Sequence, residues 1–413
     1  MNPATFLTSA ERRLPDALDF LRQLVAVNSF TSHAAGVERV AQLTAEAFAP
    51  LGFSADFRAC AISGTGPHLF LHKPGPGDPV VLVTHSDTVF PPEEEEANGF
   101  RWDERSGEGR IYGPGTIDNK GGTALIWLIL HLLREQAPES FDNTSWIVAA
   151  NAAEEVTGDD FGKAASEVCG GRARAVLVYE GGPVDERGWH HVVSRKGRST
   201  WRLEAEGRAA HAGSSHHTGI NAIDALASVL PGVAGLTDPE EERTVNLGLI
   251  RGGTVVNRVP HEAFAEWECR ATSPESLARA DAFFASLTGA AANGAQLSAI
   301  RTGHTPAWPG GEGTRALFRR WEAAAAALGL EALAVPRGGL SDANHLGHLG
   351  PTLDGLGPAG GNAHCSERTA DASKLPEYLE VGSMVPKAVM NALALAELGG
   401  ERIPSPKMKR HPA

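Results

Sequence analysis

Apolar positions along the first fifty residues recur at helical spacing. Leu14, Leu18, Leu21 and Val25 form one run; Val37, Val40, Thr44, Ala47 and Leu51 form a second that ends at Gly52. The pattern then changes to short strand-like runs, His68–His72 and Pro79–Thr84. The second, PVVLVT, is almost continuously apolar, which suits a strand covered on both faces. A helical run over Gly122–Arg134 is followed by strand-like runs at Ser145–Ala150 and Ala173–Tyr179. Strands alternating with helices predict an α/β layer architecture with a mostly parallel sheet.

Near Ser194 the rhythm shifts. The pattern predicts a strand (Ser199–Glu206), a helix (Ile220–Val229), two strands (Thr244–Arg251 and Ala263–Thr272), a helix (Pro274–Thr288) and a strand (Ala295–Thr302). That βαββαβ order is the split-βαβ, ferredoxin-like α+β arrangement. A helix over Gly313–Leu328 and the glycine-rich runs Arg337–Asn344 and Asp354–His364 then resume the earlier style. The expected organisation is a first domain in two parts, residues 1–193 and 304–413, interrupted by an inserted domain at 194–303. The proline-rich basic tail, SPKMKRHPA, is expected to fray.

Composition narrows the function. A chain of 413 residues suits two domains better than one core, and 42% hydrophobic with 21% charged residues describes an ordinary globular protein. The net charge of −13 argues against a nucleic-acid partner, which normally meets a basic face. Cys60, Cys169, Cys269 and Cys365 lie far apart without a CxxC pair, so a disulfide scaffold is not expected and a reducing compartment fits. The most apolar stretch, Ala124–Leu133, is too short to span a bilayer and contains His131; the N-terminus lacks a signal-peptide core. A soluble cytoplasmic protein with no membrane partner is the expectation.

Acidic residues and histidines gather where the buried strands end. His85 and Asp87 follow PVVLVT, Asp118 sits in IYGPGTIDNKGG ahead of a helix, Glu154 and Glu155 follow SWIVAANAA, and Glu180 follows ARAVLVY. Open α/β sheets bind ligands outside the carboxyl ends of their strands. Singly, each residue has a plainer reading. An aspartate after a strand is usually a cap or turn former, and two adjacent glutamates repel and prefer solvent. His190–His191 and His216–His217 read as surface pairs, and His261, His304, His345 and His348 carry no signal. The joint occurrence changes the balance, because imidazole and carboxylate donors without thiolate suit a hydrolytic zinc site, with other divalent ions open.

These residues carry a resemblance. His85-Ser86-Asp87-Thr88-Val89, the run Gly113 to Gly122 and Glu154-Glu155 resemble the ordered signatures of the two-zinc exopeptidase and deacylase family. That family includes glutamate carboxypeptidases, succinyl-diaminopimelate desuccinylase, acetylornithine deacetylase and aminoacylases. GRAAHAGSSHHTGINAI, GGTVVNRVP, GGLSDAN and DGLGPAGGNAHCSE resemble further family motifs in the family's order, so the likeness spans roughly residues 15 to 398.

The resemblance implies two divalent ions per chain, zinc by preference. His85 and Glu180 would hold one, His364 and Glu155 the other, with Asp118 bridging. Glu154 would be the general base on a metal-bridged water, and Asp87 would orient His85 through its far nitrogen, a pairing that fixes the metal-binding tautomer. A cis peptide is expected at Asp118–Asn119. Cys365 departs from the pattern, since the family usually carries Ser or Thr after the ligand histidine; oxidation sensitivity is the property it brings into question.

In the inserted domain, His211 matches the histidine that stabilises the developing oxyanion. Asn257 and Arg270 match residues that hold the substrate's free carboxylate, with Gly339 on the same side. Arg187, seven residues past Glu180, is the candidate for selecting an acidic leaving residue. Relatives that dimerise do so through this domain, which implies a homodimer with His211 serving the partner's site. The leading reading is a metallo-exopeptidase that releases a C-terminal amino acid, glutamate being one candidate, from a peptide or N-acyl substrate. An N-acyl-amino-acid deacylase is the alternative, and a catalytically silent binding protein the third.

Overall fold

The computed structural model describes residues 1–400; the basic tail read above as frayed lies outside them. The chain divides into two units. One comprises Met1–Val193, Gly310–Pro336 and the segment from Ser341; the other comprises Ser194–Pro309 with Arg337–Leu340.

The first unit is built on a six-stranded sheet in the order Ser54–Arg58, His68–Lys73, Trp146–Asn151, Val80–His85, Ala175–Val178, Thr352–Leu353. The last four strands of that order are mutually parallel, while the first two pair antiparallel. Side chains alternate between faces along a strand, and both faces are covered. Val80 and Leu82 join the large core cluster that includes the helices Pro3–Val25, Lys120–Gln136 and Val381–Leu398. Val81 and Val83 are equally buried. In the neighbouring strand Phe70 stacks on Phe161 of the helix Asp159–Val168, with ring centroids 5.7 Å apart. The apolar runs PVVLVT and SWIVAA are therefore the signature of a sheet shielded from water on either side.

The second unit carries an antiparallel five-stranded sheet. Its order is Thr244–Gly252, Glu262–Ala271, Gly197–Glu206, Gln296–Thr305, Gly289–Ala290. The helices Ala222–Ala234 and Pro274–Ser286 contribute to one core with alternate strand residues Trp201, Leu203, Ala205, Ala265, Trp267 and Cys269. Trp201 stacks on Phe284 at 5.6 Å and donates its indole N–H to Asp281 at 2.8 Å. The intervening residues Arg202, Glu204 and Glu266 form ion pairs outside that core.

Several elements differ from the sequence reading. The first helix begins at Pro3, where Asn2 caps it, well before the first apolar repeat. His191, read as a surface residue, is fully buried. It belongs to the strand Gly188–Arg195, which joins a small sheet with Ala332–Arg337, and its ring lies 5.9 Å from that of Phe318. The four cysteines are free, and no helix among the described residues is long and apolar enough to cross a membrane.

Candidate functional site

Three parallel strands end at one edge of the sheet, and the chain leaves each through a polar segment. His85 closes Val80–His85 opposite Asn151, the last residue of Trp146–Asn151. Glu154 and Glu155 follow the second strand and Glu180 follows Ala175–Val178. Asp118 comes from the loop ahead of Lys120–Gln136, and its peptide bond to Asn119 is cis. His364 sits in a turn closed by Cys365 N–H to Asn362 C=O at 3.0 Å. Its φ of 66° is one that residues other than glycine seldom adopt.

These side chains converge. His85 Nε2 lies 2.8 Å from Asp118 Oδ1 and 3.8 Å from Glu180 Oε1. His364 Nε2 lies 3.3 Å from Asp118 Oδ2 and 3.2 Å from Glu155 Oε2. The two oxygens of Asp118 thus face two different histidines, each accompanied by its own glutamate. His85 Nδ1 contacts the carbonyl oxygen of Asp87 at 3.1 Å and its carboxylate at 3.3 Å. That leaves Nε2 as the nitrogen turned toward Asp118.

Glu154 stands apart within the cluster: among the described residues nothing hydrogen-bonds its carboxylate. Burial raises its pKa well above the usual range; neighbouring His85 opposes this, while Glu180, Asp342 and Glu155 add to it. Burial also raises Glu155. His364 is pushed up to about 10 by hydrogen bonds to Asp118 and then Glu155. For His85, burial favours the neutral ring, but bonds to Asp118 and Asp87 outweigh it and raise the pKa. Asp118 moves the opposite way: burial opposes ionisation, yet the two histidines hold it below the usual carboxylate range.

The donors fit divalent ions. His85, Asp118 and Glu155 bring ligand atoms within 4.8 Å of one another, and Glu155 Oε1 is buried without a hydrogen-bond partner among the described residues. A set of imidazoles and carboxylates with no thiolate is that of hydrolytic zinc and related ions. Cys365 stays out of the set, its thiol directed at the Glu367 carbonyl 3.8 Å away. A second group, Cys60, His68 and Asp160, is equally close-set, but its imidazole is committed. His68 Nδ1 accepts the Ala152 N–H at 3.1 Å, so Nε2 carries the proton and donates to Asp160 at 3.2 Å.

Further residues brace the cluster that the sequence reading did not single out. Thr31 donates to Asp87 Oδ2 at 2.7 Å, and Asn119 donates to Glu180 Oε1 at 3.1 Å. Asn151 donates to Asp342 at 2.8 Å while accepting the Ala153 N–H at 3.0 Å. Burial raises Asp342 to about 7. The motif GGLSDAN contains Asp342 and the run SWIVAANAA contains Asn151, so a signal was present for both; Thr31 lies in a segment with no distinguishing pattern.

The candidates of the inserted unit form their own groupings. His211 and Asn257 lie on adjoining loops, linked by Ala212 N–H to Asn257 C=O at 3.0 Å. His211 Nδ1 accepts the N–H groups of Gly213 and Ser214, both at 3.1 Å, which puts the ring proton on Nε2. Arg270 is held by Glu268 at 2.7 Å and by the Gly338 carbonyl at 2.8 Å. The Gly339 carbonyl accepts from Arg195 at 3.0 Å. Arg187, in the first unit, is exposed on a hairpin and paired with Asp185 at 2.7 Å. No contact among the described residues links it to the carboxylate cluster.

Known proteins resemble the chain in part and along its length. Residues 193–294 match the model of the peptidase dimerisation domain of M20 enzymes. The chain is 25% identical over 395 residues to carboxypeptidase G2 of Pseudomonas sp. (strain RS-16), covering 93% of this chain and 90% of that one. The inserted unit thus resembles an M20 peptidase dimerisation domain, and the chain resembles a carboxypeptidase along nearly its whole length. Solved structures share the fold of this chain. The aminopeptidase PepT of Bacillus cereus has a TM-score of 0.73 at 21% identity, covering 93% of this chain and 98% of that one. An M20 family metallo-carboxypeptidase of Sulfolobus solfataricus has a TM-score of 0.63 at 15% identity, covering 93% and 99%. The likeness is thus to carboxypeptidase-like, metal-dependent hydrolases.

Proposed function

We propose that this protein is a zinc-dependent exopeptidase that hydrolyses an amide bond to release a C-terminal amino acid from a peptide or N-acyl substrate. One observation carries the reading: Asp118 turns its two oxygens toward different histidines while Glu154, beside them, stays uncommitted. His85, Asp118 and Glu180 would hold one ion; His364, Asp118 and Glu155 the other. Bound there, the two ions would polarise the scissile carbonyl and make water a competent nucleophile at neutral pH. Glu154 takes a proton from the attacking water on its free carboxylate and passes it to the leaving amine. Its raised pKa suits a group that must accept and then release that proton. Asp87 keeps Nε2 of His85 directed at the cluster from the ring's other side.

His211 presents an Nε2–H donor, the group an oxyanion needs. Asn257 and Arg270 bind the substrate's free carboxylate with the Gly339 segment; Arg270 has guanidinium donors beyond those used by Glu268 and Gly338. Arg187 would favour an acidic leaving residue such as glutamate. The matched dimerisation domain supports a homodimer in which His211 serves the partner's site. The edge strand Thr244–Gly252, with Leu247 and Ile250 exposed, supports it too. Free cysteines fit a cytoplasmic setting.

The deciding experiment is a substrate panel run on protein of measured metal content. Glutamyl-terminated dipeptides, their C-terminal amides and N-acetyl amino acids are compared with and without chelator. Release of the C-terminal residue from the free acids, lost on chelation, is the expected result. Faster turnover of N-acetyl amino acids would make it a deacylase instead. A two-ion protein that hydrolyses none of them would leave only the silent binding protein.

A further inference from the structure

Glu377 lies outside every motif considered above, yet its side chain is fully buried. It precedes the strand Tyr378–Glu380, which pairs with Arg110–Tyr112 on one side and Gly360–Gly361 on the other. Glu377 Oε1 accepts the backbone N–H of Ile117 at 2.8 Å and that of Asp118 at 3.1 Å. Its own N–H donates to the Cys365 carbonyl at 2.7 Å, and its carbonyl accepts from Gly113 at 3.3 Å. One residue therefore holds the backbone that bears Asp118 and the backbone next to His364. Those two side chains face each other at 3.3 Å and come from opposite ends of the unit's sequence.

We infer that Glu377 is a positioning residue for the two-ion site, acting through hydrogen-bond acceptance from the Ile117 and Asp118 amides. The inference rests on the metal-centre reading above and deepens it. A buried N–H (Ile117) and a half-buried one (Asp118) stripped of their acceptor would be satisfied only if the loop moved. Asp118 cannot move without disturbing both ions, because each of its oxygens faces a different one of the two histidines. Loss of the acceptor should therefore weaken both ions together, unlike loss of Glu155 or Glu180, each of which serves one.

The test compares wild type with Glu377→Gln, which keeps a carbonyl acceptor at nearly the same place, and Glu377→Met, which keeps length and burial without one. Zinc affinity is measured by chelator competition, the environment of bound Co2+ by its visible absorption, and kcat and KM at saturating metal. Glu377→Gln should stay within about threefold of wild type, whereas Glu377→Met should lose about 10–100-fold in affinity for both ions, the usual effect of removing an outer partner. The Met variant should also show an altered Co2+ spectrum and a lower kcat at little-changed KM. Should Glu377→Met fail to fold, Glu377→Asp, whose acceptor is withdrawn by one methylene, carries the same comparison and should also weaken both ions. Wild-type affinity in the acceptor-deficient variant overturns the inference, as does a Gln variant as weak as it. Wild-type protein that holds fewer than two ions sinks the metal-centre reading and this inference together; a two-ion wild type with an unaffected variant sinks this inference alone.

Discussion

Asp87 accepts the backbone N–H of Glu154 on Oδ1 at 3.1 Å. Its Oδ2 takes the N–H of Glu155 at 3.3 Å and the hydroxyl of Thr31 at 2.7 Å. The carboxylate beside His85 thus also anchors the loop that carries the base and a candidate ligand. An aspartate at this place does two jobs with four short contacts. Asp87→Asn replaces one acceptor oxygen with a donor, which no longer suits both the loop amides and the Thr31 hydroxyl. Activity should fall by about 10–100-fold, with weaker metal retention on dialysis. Unchanged activity and metal content would limit Asp87 to a packing role.

Replacing Glu154 and Glu155 separates base from ligand. Glu154→Gln should keep both ions and lose turnover by a factor on the order of 10² or more. Glu155→Gln should release one ion of the two. Metal analysis beside turnover numbers checks both, and exchanged phenotypes would mean that the roles are exchanged.

Asp118→Ala should be the most damaging ligand change, because the side chain faces both histidines. The expected protein is folded, binds at most weakly at either position and is inactive. Two tightly bound ions in this variant would refute the shared-carboxylate arrangement.

Mixing tests delivery of His211 across a dimer. His211→Ala and Glu154→Ala should each be inactive alone. Random pairing on co-expression makes half the dimers mixed, each with one complete site of two, so about a quarter of wild-type activity should return. No recovery in purified mixed dimers would place His211 in the service of its own chain.

One pH dependence lies far from this chemistry. His131 is buried in the helix Lys120–Gln136, its ring 4.0 Å from Trp127 and its Nδ1 without a hydrogen-bond partner among the described residues. Burial lowers its pKa to about 4, with Arg13 and Arg134 adding to the effect and Glu135 opposing it. The unfolded chain takes up this proton near 6.5, the folded chain only near 4. Its contribution is therefore fully present above about pH 6.5, declines as pH falls, and levels off below about pH 4. Discounted for solvent screening, the loss should be about 1–3 kcal/mol. Urea denaturation between these limits should show a weaker pH slope for His131→Leu than for wild type; identical slopes would exclude His131 as the source.

Legibility in the sequence followed local regularity. The buried strands announced themselves because a sheet covered on both faces permits few polar residues, and the ferredoxin-like order of the inserted unit followed from its alternation of periods. His85, Asp118, Glu155, Glu180 and His364 were readable because strand ends and glycine-rich turns mark them and the family resemblance orders them. His191 was misread because an exposed-looking His-His pair gives no hint of the strand Ala332–Arg337 that lies against it from far along the chain. Glu377 and Thr31 could not be found for the same reason: their partners are fixed by tertiary packing, not by spacing.

The division of the chain into two units bears on the order in which the molecule can be completed as it is synthesised. The inserted unit is nearly contiguous, from Ser194 to Pro309, and lacks only Arg337–Leu340 when that stretch has emerged. The first unit is discontinuous: its central sheet needs Thr352–Leu353 and its core needs Val381–Leu398. His85, Asp118, Glu155 and Glu180 emerge long before His364. Between the emergence of Glu180 and that of His364, a nascent chain thus holds these carboxylates with His85 as their one imidazole, the later segment being still unmade. Folding domain by domain from the N-terminus would finish the interrupting unit first and close the interrupted one last.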